Sequence, residues 1–236
     1  MTPHVLADYE ALSRRAADLM IECLRATPNA LLCLAAGATP TRTYALVAGH
    51  HQREPRLFEH LRLLKLDEWG GLAKDDPGSC ERFLRQTIVD PLLLQDRYVA
   101  FDGRSADPAA EAGRIAGWLN ERGPIDLCVL GLGVNGHLGF NEPGAHLKPR
   151  AHVAQLSSDS LKHAMLDQVR TRPKYGLTLG MTDLLQARQV LLLVSGAAKS
   201  GPLRQLLEGE ISTQFPASFL WLHRDVTLLC DAEAMR

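Results

Sequence analysis

The sequence predicts an α/β fold built on a mostly parallel, doubly wound sheet, and three observations carry that expectation. Short, largely apolar runs at Ala30–Ala35, Leu61–Leu66, Ile125–Leu130 and Val190–Val194 have the length and composition of strands buried on both faces. Between them lie stretches with apolar residues at helical spacing, the alternation that winds strands parallel with helices on either side. Several of the runs end in turns rich in glycine or polar side chains, and in such sheets the carboxyl-end turns hold the ligand.

Taken in order, Tyr9 to Arg25 repeats apolar positions at Leu12, Ala16, Leu19, Met20 and Cys23, which predicts an opening helix ended by Pro28-Asn29. Ala30–Ala35 is the first buried strand. In the turn Ala36-Gly37-Ala38-Thr39-Pro40, Thr39 is the expected helix N-cap and Pro40 the first helical residue. That helix should run to His50. Leu61–Leu66 is the next strand and ends at Asp67-Glu68-Trp69-Gly70-Gly71. Asp75 to Ser79 is turn chemistry, Cys80 to Val89 reads as a helix, and another from Pro108 to Glu121 leads into the Ile125–Leu130 strand. Beyond Pro143 the pattern predicts helix over Ser157–Gln168, a short helical turn over Thr182–Ala187, and a buried strand at Val190–Val194. Ser195 to Lys199 turns into a helix near Leu203–Leu207, and two strands, Ser218–Leu222 and Val226–Cys230, close the chain. No linker, repeat or low-complexity tract interrupts residues 1–236, so a single domain is expected.

Composition excludes several classes of function. Apolar residues make up 46% of the chain, a globular proportion that rules out disorder and fibres. A net charge of -1, from 26 basic and 27 acidic residues, gives no surplus for nucleic acid or an anionic membrane. The five cysteines are scattered without Cys-x-x-Cys spacing, and three of them, Cys33, Cys128 and Cys230, sit in strand-like runs; free buried thiols are expected, not a disulfide framework or a zinc site. Met1-Thr2-Pro3-His4 has no signal pattern and no apolar run has the length of a membrane span, so a soluble, cytoplasmic protein is expected.

The chemistry concentrates in Gly131-Leu132-Gly133-Val134-Asn135-Gly136-His137-Leu138-Gly139-Phe140-Asn141-Glu142-Pro143. Its Gly-x-Gly-x-x-Gly matches a dinucleotide fingerprint, but residues 137–144 are too rich in glycine and proline to be the helix that fingerprint requires. The segment instead offers a strand-end histidine, His137, between Asn135 and Glu142. An imidazole that titrates near neutrality can relay protons when a carboxylate orients it. Asp67, beside Trp69 at another strand end, has the surroundings of a partly desolvated base able to take a proton from carbon next to a carbonyl. Gly37, Ala38 and Thr39 offer backbone N–H groups and a hydroxyl at a helix start, which suits phosphate, and Lys199 follows a fourth strand. No second histidine or carboxylate stands at metal-ligand spacing from His137. The topology opens all four turns on one edge of the sheet.

Together these turns resemble the sugar-phosphate family of glucosamine-6-phosphate deaminase, galactosamine-6-phosphate isomerase/deaminase and, more distantly, 6-phosphogluconolactonase. The resemblance spans the chain, from Ala36–Pro40 and Leu66–Trp69 through Gly131–Pro143 and Pro173–Thr178 to Ser195–Lys199 and Pro216–His223. Asn-Gly-His-x-x-Phe-Asn-Glu-Pro is the deaminase form, since lactonases lack the Phe-Asn-Glu-Pro continuation. Leu66-Asp67-Glu68-Trp69 and Phe219-Leu220-Trp221-Leu222-His223 look most like the galactosamine-6-phosphate branch.

The resemblance implies an isomerising deamination of galactosamine 6-phosphate to tagatose 6-phosphate and ammonia, with glucosamine 6-phosphate as the alternative substrate. Lactone hydrolysis and a non-catalytic sugar-phosphate sensor are weaker alternatives. On that pattern Asp67 moves the C2 proton to C1, His137 assists ring opening, and Glu142 and Asn135 tune and orient it. Gly37, Ala38, Thr39 and Lys199 hold the 6-phosphate, and no metal or organic cofactor is implied. The chain departs from the pattern twice. Leu166 stands where deaminases carry a phosphate-binding arginine, leaving Lys162, Arg170 or Arg172 as substitutes. His152 and Ala154 occupy the basic effector patch of the allosteric hexamers, and the longer C-terminal tail of those proteins is missing. A monomer or small homo-oligomer without effector activation is therefore expected.

Overall fold

Seven parallel strands form the main sheet in the order β1-β10-β9-β6-β2-β3-β5 in a computed structural model that describes all residues, Met1–Arg236. The strands are β1 (Pro3–Leu6), β2 (Leu31–Leu34), β3 (Arg62–Lys65), β5 (Tyr98–Val99), β6 (Leu127–Gly131), β9 (Gln189–Val194) and β10 (Val226–Asp231). A second, antiparallel sheet pairs β4 (Asp67–Trp69) with β8 (Gly176–Thr178) and β8 with β7 (His152–Ala154).

The main strands are apolar on both faces because both are covered. Leu32, Leu34, Val129 and Leu191 face Leu12 and Met20 of α1 (Tyr9–Ala26), Val47 of α2 (Thr41–Arg53) and Leu84 of α3 (Cys80–Leu84). The alternate residues Cys33, Cys128, Leu130 and Leu192 face Ile115 of α4 (Pro108–Arg122), Leu184 of α5 (Met181–Leu185) and Leu203 of α6 (Ser200–Leu207). Period-two alternation thus divides each strand between two cores, as a doubly wound sheet demands. Caps set the helix starts: Asp8 Oδ1 accepts from Ala11 N at 2.8 Å, Ser79 Oγ from Arg82 N at 3.0 Å, and Asp107 Oδ1 from both Ala109 N and Ala110 N at 3.0 Å. All five cysteines are free. No helix is long and apolar enough to cross a membrane.

Several boundaries differ from the sequence pattern. Thr39 is not an N-cap. Ala38 O accepts from Thr41 N at 3.2 Å, closing a turn that delays the helix to Thr41 and leaves Pro40 as a cap without a side-chain hydrogen bond. Ser218–Leu222 is not a strand but part of a 3-10 helix, Pro216–Leu222, because Pro216 starts a turn and Ser218 Oγ donates to Phe215 O at 2.6 Å. Ser157–Gln168 yields two 3-10 turns, Ser160–Lys162 and Ala164–Gln168, broken by extended backbone at His163. The Cys80 helix continues past Leu84 as a π turn, Arg85–Val89.

From β2 the chain steps outward to β3 and β5, then returns to place β6 on the other side of β2. The strand order reverses between β2 and β6. A crevice opens there at the carboxyl ends, where open parallel sheets bind ligands.

Candidate active site at the strand-order reversal

A cavity of about 340 Å³ occupies that crevice. One wall is Ala35–Pro40 after β2 and another is Gly131–Val134 with His137, Gly139 and Phe140 after β6. Asp67 and Trp69 line it from β4, Cys80 from α3, and Lys199 from the turn after β9. Six of the eight residues singled out in the sequence, Gly37, Ala38, Thr39, Asp67, His137 and Lys199, line this one cavity. The other two, Asn135 and Glu142, stand behind His137.

Asp67 is reached by a sharp change of sheet. Lys65 ends β3 in the main sheet, while Asp67 already pairs antiparallel with Thr178 of β8. The carboxylate is thereby turned into a nearly closed environment, with 9% of the residue exposed. Burial first, and the neighbouring Glu68 carboxylate second, push Asp67 up to about 7, against the opposing pull of Lys65 and the Cys80 thiol. Such a carboxyl gives up a proton close to neutral pH and is a far stronger base than an exposed aspartate. Gly139, at φ +58°, keeps the approach clear: a Cβ there would stand 2.6 Å from Thr178 Oγ1 and 3.5 Å from Asp67 Oδ2.

His137 is fixed from behind. Its Nδ1 lies 3.4 Å from Glu142 Oε2 and 3.4 Å from Ser160 Oγ. Asn135 Nδ2 donates to the same Glu142 oxygen at 3.0 Å, and Asn135 Oδ1 accepts the His137 N–H at 3.2 Å. Ser160 Oγ donates to Glu142 Oε1, which also accepts Ser157 N–H at 3.3 Å. Burial works against the charge on Glu142, but the imidazole, Ser160 and Asn135 outweigh it and hold the carboxyl at about 2. The ion stays charged throughout the physiological range. With Nδ1 directed at that anion, Nε2 is the ring nitrogen left for exchange with a ligand.

The elements expected to hold an anion converge as well. Gly37, at φ +125°, turns the chain into α2 and so brings the helix's free N–H end to the cavity. Asp231 accepts from Gly196 N at 3.1 Å, pinning the turn that carries Lys199. Lys199 Nζ donates to Leu132 O at 2.7 Å, and burial lowers its pKa without bringing any carboxylate to it. Its charge remains available to a ligand anion. Leu166 is buried core, 1% exposed, packed with Trp69 and Phe140. Of the three substitute cations Lys162 lines the cavity, whereas Arg170 pairs with Asp75 at 3.5 Å and Arg172 donates to Leu161 O at 3.1 Å.

Ser160, Lys65 and Cys80 were not singled out from the sequence. Ser160 sits in a polar turn with no motif of its own, and only the fold brings it to Glu142. Lys65 lies inside the Leu61–Leu66 run, whose apolar residues alone marked it as a strand.

The chain matches the family model for glucosamine-6-phosphate isomerases/6-phosphogluconolactonase over residues 7–229. It is 44% identical over 224 residues to an Escherichia coli (strain K12) protein provisionally named as the deaminase AgaI, covering 94% of this chain and 88% of that one. It is 39% identical over 229 residues to glucosamine-6-phosphate deaminase 1 of Bacillus subtilis (strain 168), covering 96% and 95%. A solved monomeric glucosamine-6-phosphate deaminase superimposes with a TM-score of 0.95 at 37% identity over the full length of both chains. The 6-phosphogluconolactonase of Trypanosoma brucei superimposes at 0.79 with 25% identity, covering 99% and 97%. The chain belongs to the glucosamine-6-phosphate isomerase/6-phosphogluconolactonase family.

Proposed function

We propose that this protein is an amino-sugar-phosphate isomerase/deaminase that converts a hexosamine 6-phosphate to a ketose 6-phosphate and ammonia, with galactosamine 6-phosphate as its preferred substrate. The observation that carries the reading is the meeting of a near-neutral base, Asp67, a carboxylate-backed imidazole, His137, and an anion cradle in one cavity.

The 6-phosphate sits on the backbone of Gly37, Ala38 and Thr39 at the start of α2, with Lys199 and Lys162 as its cations. His137 relays a proton to the ring oxygen as the sugar opens to its aldehyde form. Glu142 and Asn135 hold the imidazole in place and stabilise its protonated state. Asp67 removes the proton from C2, giving an enolamine, and returns it to C1, which leaves an imine at C2. Water adds to that imine and ammonia departs. One water enters and one ammonia leaves, so the reaction balances with no net oxidation.

Trp69 supports the choice of galactosamine. It stands two residues beyond the base, lines the cavity, and packs on Phe140 with centroids 4.5 Å apart, in the Leu-Asp-Glu-Trp turn that resembles the galactosamine branch. The lactonase alternative is disfavoured by the Phe140-Asn141-Glu142-Pro143 continuation after His137, which resembles the deaminase form and which lactonases lack. A monomer is the proposed state, consistent with the monomeric deaminase of the same fold, and light scattering on purified protein tests it. Ammonia release from the two hexosamine 6-phosphates, with 6-phosphogluconolactone hydrolysis as the control, tests the activity. No ammonia from either amino sugar refutes the proposal.

A further inference from the structure

Behind Asp67, and outside the cavity lining, lies a cluster of buried charges. Lys65 Nζ donates to Glu68 Oε2 at 2.7 Å and to Glu81 Oε2 at 2.9 Å, and the lysine is fully buried. The Glu68 carboxylate also accepts three backbone N–H groups, from Trp69 at 2.9 Å, Cys80 at 3.0 Å and Glu81 at 2.8 Å. Glu81 is shared further, with Arg85 Nε at 2.7 Å and the Tyr98 hydroxyl at 3.1 Å. Two carboxylates are thus matched by two cations.

Buried ion clusters seldom add stability beyond what well-packed apolar residues would give. The position of this one suggests a different use. Glu68 follows Asp67 directly in the chain and is itself buried, so an unneutralised Glu68 anion would hold Asp67 protonated at physiological pH. Lys65 supplies the main positive charge acting on Asp67. His137, Asp159, Lys162, His163 and Lys199 share the cavity with the base, and Cys80 of α3, Cys33 of β2 and Tyr44 of α2 are buried around it. Burial raises the two thiols and the phenol well above their ordinary range, so these three stay neutral. The Cys80 thiol, beside the Asp67 carboxyl, favours its ionised form. Thr178 of β8, the register partner of Asp67, carries no charge.

We propose that Lys65 is a positioning residue for the proton transfer: by neutralising Glu68 behind the cavity, it leaves Asp67 able to ionise, and so to act as a base, near neutral pH. The inference rests on the deaminase reading of the cavity and extends it to residues that touch no substrate.

Titration of the Asp67 carboxyl in the free protein, followed by 13C NMR and assigned with Asp67→Asn, tests this without substrate. In Lys65→Met the midpoint is expected to rise by about one pH unit or more. In Glu81→Gln, where Lys65 is less neutralised, it is expected to fall. The acidic limb of kcat/KM for ammonia release moves in the same two directions, because the substrate's own ionisations are common to every variant. Where Lys65→Met does not fold, Glu81→Gln decides alone. Unchanged midpoints, or shifts of the same sign in both variants, overturn the role of Lys65. Midpoints that move as expected in a protein releasing no ammonia refute the deaminase reading and leave the coupling of Lys65 to Asp67 standing.

Discussion

The imidazole of His137 lies against the bare backbone of Gly133: a Cβ on that glycine would stand 2.5 Å from the ring carbons. The Gly133 N–H also donates to the His137 carbonyl at 3.1 Å, closing the loop that presents the ring. Gly133 is therefore a space requirement of the histidine. Gly133→Ala must push the ring off Glu142, and a displacement near 1 Å at a catalytic group costs on the order of 10²-fold in rate. Ammonia-release kinetics are expected to show that loss in kcat, with the circular-dichroism spectrum unchanged. Wild-type kcat in Gly133→Ala contradicts the placement of His137.

Asp67→Asn is expected to abolish turnover while sugar-phosphate binding persists, since only the proton transfer is lost. The same variant makes a separate prediction about stability. The folded-state pKa of Asp67, about 7, lies above the 3.8 of a free aspartate. Between those two values the unfolded chain has released a proton that the native state still binds, so stability falls as pH rises through the interval. Removing the carboxylate abolishes that loss, on the order of 4 kcal/mol above pH 7. Thermal melts should find Asp67→Asn more stable than wild type at pH 8, with the gain shrinking toward pH 4.

Glu142 has the opposite sign. Its folded pKa of about 2 lies below the 4.5 of a free glutamate, so its stabilisation is complete above the unfolded value and is lost as pH falls toward 2. Glu142→Gln is therefore expected to melt below wild type at pH 7, with the difference closing as both are acidified. In the kinetics the same substitution lowers kcat by weakening the hold on His137. Equal melting temperatures at pH 7 contradict a load-sharing role for this carboxylate.

The phosphate assignment predicts a KM effect. Lys199→Ala and Lys162→Ala each remove one cation from the cradle and are expected to raise KM about 10-fold, with kcat less affected. Lys162 is the more exposed and pairs with Asp159 at 3.2 Å, so its effect is the smaller and fades with added salt. Substituting Arg170 or Arg172, both engaged outside the cavity, should leave KM unchanged. Steady-state kinetics at two ionic strengths separate these outcomes.

Much of this arrangement was legible in the sequence because the fold depends on local rules. Apolar runs marked β2, β3, β6, β9 and β10, and the turns that follow β2, β3, β6 and β9 carried all eight candidate site residues. What escaped was set by tertiary contact. β1 has only four residues and pairs through β10 at the far end of the chain, so no period marks it. β4, β7 and β8 owe their pairing to a second sheet that no local pattern announces. Ser218–Leu222 has a strand's composition, yet Pro216 and the Ser218 hydroxyl wind it into a 3-10 helix. The buried charge of Lys65 was invisible for the same reason, because its partner Glu81 comes from a helix 16 residues away.

The cavity around Asp67 and His137 is proposed to perform an isomerising deamination on a hexosamine 6-phosphate. The most direct test is the measurement of ammonia and ketose phosphate released from galactosamine 6-phosphate and from glucosamine 6-phosphate by purified protein. One ketose phosphate is expected for each ammonia, with the larger kcat/KM on galactosamine 6-phosphate and no turnover in Asp67→Asn. No ammonia from either sugar, or undiminished release by Asp67→Asn, would contradict it.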